Sequence, residues 1–169
     1  MKDKIIVVTG STSGIGLGIA SKFAKNGAKL VINGLASDTE VKELSSKLKI
    51  FGAAEVLFDG ADLSKPAEID RMFKNIIQKY QRVDILVNNA GIQFVSPIEN
   101  FPPEKWETII RVDLIAAFYT IKNVIPIMKQ QKWGRVINIA SAHALLASPF
   151  KSAYVAAKHG LMGLKNLLL

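Results

Sequence analysis

The sequence contains no cysteine and only two histidines. The first absence excludes a disulfide framework and a thiolate metal site, and the second leaves too few imidazoles for a histidine-built metal centre. No apolar run reaches membrane-spanning length, and the N-terminus enters a strand by residue 5, unlike a secretory leader. A basic tail is missing, as is any stretch in which basic and aromatic residues interleave. The net charge is nevertheless +8, a balance that can serve nucleic acid or an anionic membrane. The lysines are scattered, however. Lys22, Lys25 and Lys29 flank one helical segment and Lys42, Lys47 and Lys49 another, which reads as solvated faces. The expectation is a soluble, cytoplasmic protein with no nucleic-acid partner, no membrane partner and no metal. Its 169 residues, 49% of them hydrophobic, suffice for one α/β domain with a real core.

Strand-like and helix-like segments alternate. Strands are expected over 5–8, 29–33, 54–58, 84–88 and 135–140. Helices are expected over about 15–26, 39–49, 66–80 and 103–130, with a last one beginning near Ser152. Such alternation implies right-handed crossovers and a parallel sheet. Pro66 reads as a helix start, and Pro126 should bend or end the long helix.

The apolar run Ile5-Ile6-Val7-Val8 leads into Thr9-Gly10-Ser11-Thr12-Ser13-Gly14-Ile15-Gly16, after which a helical period begins. A glycine-rich turn between strand and helix is the context of a dinucleotide site. Gly10 would allow the tight turn. Gly14 and Gly16 would let backbone approach a pyrophosphate at the helix N-terminus. A plain strand-to-helix turn is the other reading.

Tyr154 and Lys158 stand four residues apart, so on a helix they share a face. An ammonium beside a phenol favours the phenolate and makes tyrosine a usable acid/base. Ser141 lies thirteen residues before Tyr154, at the end of an apolar strand. Each has a bland alternative: a core-edge aromatic, a solvated lysine, a serine closing a strand.

Taken in order, Thr9 to Gly16, Asp62-Leu63, Asn88-Asn89-Ala90-Gly91, Ser141 and Tyr154 to Lys158 resemble the short-chain dehydrogenase/reductase family. Within it, Gly91-Ile92-Gln93 and the stretch from Ile139 to Tyr154 are most similar to bacterial D-3-hydroxybutyrate dehydrogenases. The resemblance implies an α/β, Rossmann-like doubly wound parallel sheet, with five strands in the order 3-2-1-4-5 and the sixth and seventh missing. It implies a single NAD-binding domain over residues 1–169, with hydride transfer between NAD and a 3-hydroxy acid. Ser141, Tyr154 and Lys158 would be catalytic. Ser141 would bind the substrate oxygen, Tyr154 exchange its proton, and Lys158 hold the nicotinamide ribose. The cofactor would lie against Gly10, Thr12, Ser13, Gly14, Ile15, Gly16, Leu35, Asp62, Leu63, Asn89, Ala90, Gly91, Tyr154 and Lys158. Gln93, His143 and Lys151, together with Ser141 and Tyr154, would bind the substrate, the first three through its carboxylate. His143 could equally be a loop histidine, Lys151 a solvated charge and Asp62 a helix-entry residue. No acidic or basic residue closes Val31-Ile32-Asn33-Gly34-Leu35, and the absence of a basic one disfavours NADP.

Two departures from the family pattern affect the reading. Asp113, in Val112-Asp113-Leu114, occupies the place of an asparagine that belongs to the catalytic set. An ionised carboxylate only accepts hydrogen bonds, and near Lys158 it would offset that residue's help to Tyr154. The chain also stops in Asn166-Leu167-Leu168-Leu169, without a Pro-Gly loop, a helical lid or further strands. Truncation is therefore expected. It would leave Leu161, Leu164, Leu167 and Leu168 uncovered and the fifth strand as an edge, giving a homo-oligomer or an aggregation-prone chain. The rival readings are a 3-oxoacyl thioester reductase of the same family and a non-catalytic remnant that binds nucleotide or a partner subunit.

Overall fold

The computed structural model describes residues 1–165. Five parallel strands, β1 (Ile5–Val8), β2 (Lys29–Asn33), β3 (Glu55–Asp59), β4 (Ile85–Asn88) and β5 (Arg135–Asn138), form one sheet ordered β3-β2-β1-β4-β5. Val7 pairs with Val31 on one side and Leu86 on the other, and Leu86 pairs with Val136. The central strands are apolar at successive positions because both faces of a parallel sheet are covered. Alternate residues divide between two cores. Val7, Val31 and Leu86 meet Ile69, Met72, Phe73 and Ile76 of α3 (Pro66–Tyr80) and Ile121, Val124 and Met128 of α5 (Ala116–Gln130). Ile6, Val8, Leu30 and Ile32 meet Ala20 and Ala24 of α1 (Gly14–Ala24) and Leu48 of α2 (Asp38–Ile50).

Local chemistry sets the ends of these elements. Pro66 opens α3 as expected, with Lys65 as its N-cap, and Gln81 closes it in the left-handed region at φ 54°. A reciprocal capping box between Ser37 and Glu40 starts α2. The expected long helix is three pieces: α4 (Pro103–Ile110), a π-helical segment (Arg111–Ile115) and α5. Pro126 does not end α5, which runs on to Gln130; the departure from α geometry falls at 111–115 instead. The fifth strand closes at Asn138, two residues early.

The last helix, α6, spans Ser152–Lys165. Leu161 and Leu164 are not left bare. Leu161 is 2% exposed, and Leu164 packs against the α3/α5 core. Leu167 and Leu168 lie outside the described residues. Among the described residues, the most exposed large apolar side chains are Ile50, Leu35, Leu145, Ile98, Leu146 and Ile15, with Phe150 and Phe118 also exposed. No helix among them is long and apolar enough to cross a membrane.

At the amino-terminal end of the sheet, Asp84 is fully buried. It accepts the Ile5 N–H at 2.9 Å, Lys4 Nζ at 3.1 Å and Arg82 Nε at 2.9 Å. Burial pushes its carboxyl up, but the Arg82 guanidinium, the Ile5 N–H and the Lys4 ammonium outweigh that and hold it below the ordinary aspartate range. A depressed carboxylate contributes stability above its unfolded pKa of about 3.9, and that contribution is lost as pH falls through the folded value. Asp84→Ala orphans the buried Ile5 N–H and should lower unfolding free energy by about 1–3 kcal/mol at neutral pH. Urea melts at several pH values should show the difference narrowing below about pH 4; a constant difference would refute this role.

Candidate active site

The strand order reverses at β1, which sends its chain to β2 on one side and lies against β4 on the other. In open α/β sheets ligands bind outside the carboxyl ends at such a point. Here the strand ends are tied by buried polar groups. The Thr9 hydroxyl accepts the N–H groups of Asn89 (3.0 Å) and Ala90 (3.1 Å). The Asn89 amide donates back to the carbonyls of Thr9 (3.0 Å) and Gly10 (2.9 Å). Asn33, at the end of β2, donates through Nδ2 to the carbonyls of Asp59 and Ala61, each at 3.0 Å. Asn88 joins Thr120 (2.7 Å) to Asn138 (2.9 Å).

A cleft of about 810 Å³ opens above these ends. Every residue assigned above to the cofactor lines it: Gly10, Thr12 to Gly16, Leu35, Asp62, Leu63, Asn89 to Gly91, Tyr154 and Lys158. Gln93 lines it too. The glycine turn fits a phosphate-bearing ligand for a steric reason. A Cβ on Gly16 would lie 2.2 Å from the Gly10 carbonyl oxygen and 2.4 Å from Asn89 Nδ2, so the turn closes only with glycine there. Gly14, at φ +54°, faces open space. Ile15 and Leu35 are 69% and 81% exposed, apolar surface that a bound ring system would cover. Asp62 borders the cleft while its carboxylate accepts the Ser64 N–H at 2.9 Å and hydroxyl at 2.7 Å, so it is also the turn residue of the alternative reading.

Helix α6 brings Tyr154 and Lys158 to one face, with Lys158 Nζ 5.4 Å from the Tyr154 ring centroid. Lys158 is only 4% exposed and donates to the Ile139 carbonyl at 3.2 Å. Ser141, His143 and Lys151 stand outside the cleft wall, on the connection between β5 and α6. Ser141 follows Ile139 and Ala140, which line the wall, and its hydroxyl accepts the His143 N–H at 3.2 Å. The His143 ring stands edge-on to Tyr154, centroids 6.2 Å apart, and Lys151 Nζ is 3.5 Å from His143 Nε2.

Asp113 lies behind the cleft, 1% exposed, in the π-helical segment. Its Oδ1 accepts the Ile92 N–H at 2.8 Å. Its Oδ2 accepts no hydrogen bond from the described residues but is ion-paired to Lys158 Nζ at 3.5 Å. Burial pushes the Asp113 carboxyl up, and the Ile92 N–H and Lys158 offset this only in part. The same pair explains Gly91, where a Cβ would approach Asp113 Oδ2 to 2.9 Å and Lys158 Nζ to 3.4 Å.

A profile of the short chain dehydrogenase family matches residues 4–168. The chain belongs to that family. It is 53% identical over 161 residues to the D-beta-hydroxybutyrate dehydrogenase of Rhizobium meliloti, covering 95% of this chain and 62% of that protein. It is 48% identical over 167 residues to the enzyme of the same name from Cupriavidus necator, covering 96% and 62%. This short-chain dehydrogenase thus spans about three-fifths of the length of these relatives. A metagenomic short-chain oxidoreductase solved in complex with NADP superposes with TM-score 0.93 at 30% identity, covering 99% of this chain and 75% of that one. Family members bind a nicotinamide cofactor, and the glycine turn, apolar walls and Lys158 of the cleft fit such a group.

Sequence reasoning passed over Thr9, Asn33, Asn88 and Thr120 as organisers of the cleft, although three of the four close or follow an apolar strand. A second cleft of about 860 Å³ runs along β5, its far edge unpaired among the described residues, between α5 and α6. Neither Tyr154 nor Lys158 lines it. The glycine geometry gives a direct check by urea melting. Gly16→Ala should cost about 2–3 kcal/mol through its clash with backbone, whereas Gly18→Ala, on the open face of α1, should gain up to about 1 kcal/mol. Equal effects at both positions would contradict the packing described.

Proposed function

We propose that this protein is an NAD-dependent dehydrogenase interconverting a 3-hydroxy acid and a 3-oxo acid, with 3-hydroxybutyrate and acetoacetate as the pair. The observation that carries this reading is the Tyr154–Lys158 pair on the glycine-lined cleft, with His143 and Lys151 gathered beside Tyr154. The nicotinamide, when bound, accepts or returns the hydride. In the oxidation direction the Tyr154 phenolate takes the hydroxyl proton, and the Lys158 ammonium favours that phenolate. The Ser141 hydroxyl donates to the same substrate oxygen and stabilises charge there. Gln93, His143 and Lys151 donate to the carboxylate at the other end of the substrate. A thioester substrate offers no such carboxylate, which separates this reading from a 3-oxoacyl thioester reductase. NAD is preferred because nothing basic closes β2. A homo-oligomer accords with the exposed Phe118 of α5 and the edge of β5.

Calorimetric titration should show NAD bound about tenfold more tightly than NADP, and equal or tighter binding of NADP would defeat the cofactor assignment. Tyr154→Phe should retain that binding while abolishing NAD-linked oxidation of 3-hydroxybutyrate. Turnover undiminished in Tyr154→Phe would remove Tyr154 from the chemistry.

One observation favours a second reading, in which nucleotide or a partner subunit is bound without turnover. The Asp113 carboxylate facing Lys158 cancels part of the positive field that the phenolate needs. Asp113→Asn keeps an acceptor for the Ile92 N–H and removes that charge. NAD-linked oxidation of 3-hydroxybutyrate by Asp113→Asn should then exceed that of the wild type at neutral pH. Unchanged turnover would show that Asp113 does not act on the Tyr154–Lys158 pair, and NAD binding without turnover in either form would establish the second reading.

A further inference from the structure

A side cavity of about 420 Å³ adjoins the cofactor cleft, sharing Thr12, Ser13 and Leu35 with it. Beyond Leu35 it is bounded by Ala36 and by Glu40, Glu43 and Lys47 of α2. In dinucleotide folds the end of the second strand is where the adenosine ribose presents its 2′ position, and a 2′-phosphate needs positive charge and free hydrogen-bond donors there. The loop after β2 carries such donors at Ser37, but they are engaged. Glu40 Oε2 takes both the Ser37 N–H and the Ser37 hydroxyl, each at 2.7 Å. These hydrogen bonds from Ser37, the backbone one foremost, hold the Glu40 carboxyl below its ordinary range, so it is an anion at neutral pH. The Glu40 N–H points back to Ser37 Oγ at 3.4 Å, completing the capping box. Lys47, the one cation among the described residues of the cavity wall, lies 6.0 Å from the Phe51 ring centroid and shares that wall with two glutamates.

We infer that Glu40 is a specificity-determining residue: by occupying the donors of Ser37 with an internal carboxylate at the mouth of the side cavity, it excludes a 2′-phosphorylated adenosine. This rests on the reading of the main cleft as a nicotinamide-dinucleotide site, and it assigns the NAD preference to a residue outside β2 and the glycine turn. The same contact gives α2 its cap.

The probes are two mononucleotides that differ only by the 2′-phosphate, 5′-AMP and 2′,5′-ADP, titrated calorimetrically into the wild type, Glu40→Ala and Glu40→Gln. Glu40→Ala frees the donors and removes the charge, so its affinity for 2′,5′-ADP should rise about tenfold while that for 5′-AMP stays within about twofold. Glu40→Gln keeps an acceptor for Ser37, preserves the start of α2 and removes only the charge. A smaller rise in Glu40→Gln confirms that engagement of the donors adds to the repulsion. A ratio of the two affinities unchanged from wild type in both variants, each with a wild-type far-ultraviolet melting curve, overturns the inference. If the wild type itself binds 2′,5′-ADP more tightly than 5′-AMP, the NAD assignment falls. The effect of Glu40 is still read from the change in ratio.

Discussion

The hydroxyl of Thr9 joins the two central strands at the point where their chains part. It accepts two successive N–H groups of the β4 exit and donates to the Val87 carbonyl at 3.3 Å. Without it those backbone donors, half-buried at the floor of the cleft, would lack a partner. The Asn89 amide then fixes the glycine turn to the same exit. A displacement of β4 would therefore move the backbone of the glycine turn, and Gly91 would lose its fit against Asp113 and Lys158. The cleft is a consequence of these ties as much as of the sheet.

Lys158 is the second focus. It is a buried cation whose described partners are one carbonyl, at Ile139, and one carboxylate, at Asp113. A buried charge persists where its surroundings compensate it. The compensation comes from the residue that follows β5 and from the π-helical segment, so the placement of Lys158 beside Tyr154 depends on elements far apart in the chain. The π turn is where α4 and α5 depart from regular spacing, and it sets the Asp113 carboxylate against both Ile92 and Lys158. Such turns often mark functional positions in helices.

Several expectations from the sequence changed once the chain was seen folded. Pro126 does not end α5, which runs on to Gln130 with Val124 and Met128 in the core on either side of it. Leu161 and Leu164, expected to be bare, are covered by the packing of α6. Exposed apolar residues lie elsewhere, on α2 at Ile50, after β2 at Leu35, at Ile98, Leu145 and Phe150, and on α5 at Phe118. Periodicity shows which residues are apolar; it does not show which neighbour will cover them.

The sequence by itself determined the α/β alternation, the parallel sheet and the glycine turn between β1 and α1. Those follow from local rules: buried runs of β-branched residues, helical periods, and a turn that only glycine can close. It also determined that Tyr154 and Lys158 share a face, since four residues make about one turn of helix. Tertiary structure alone decided that the α2 cap at Ser37 and Glu40 borders a cavity beside the cofactor cleft, that the Asp113 carboxylate stands 3.5 Å from Lys158, and that Asn89 ties the glycine turn to the exit of β4. Each of these joins segments whose spacing in the chain carries no trace of the contact. Their distances are set by how helices pack on the sheet, and no local pattern encodes that.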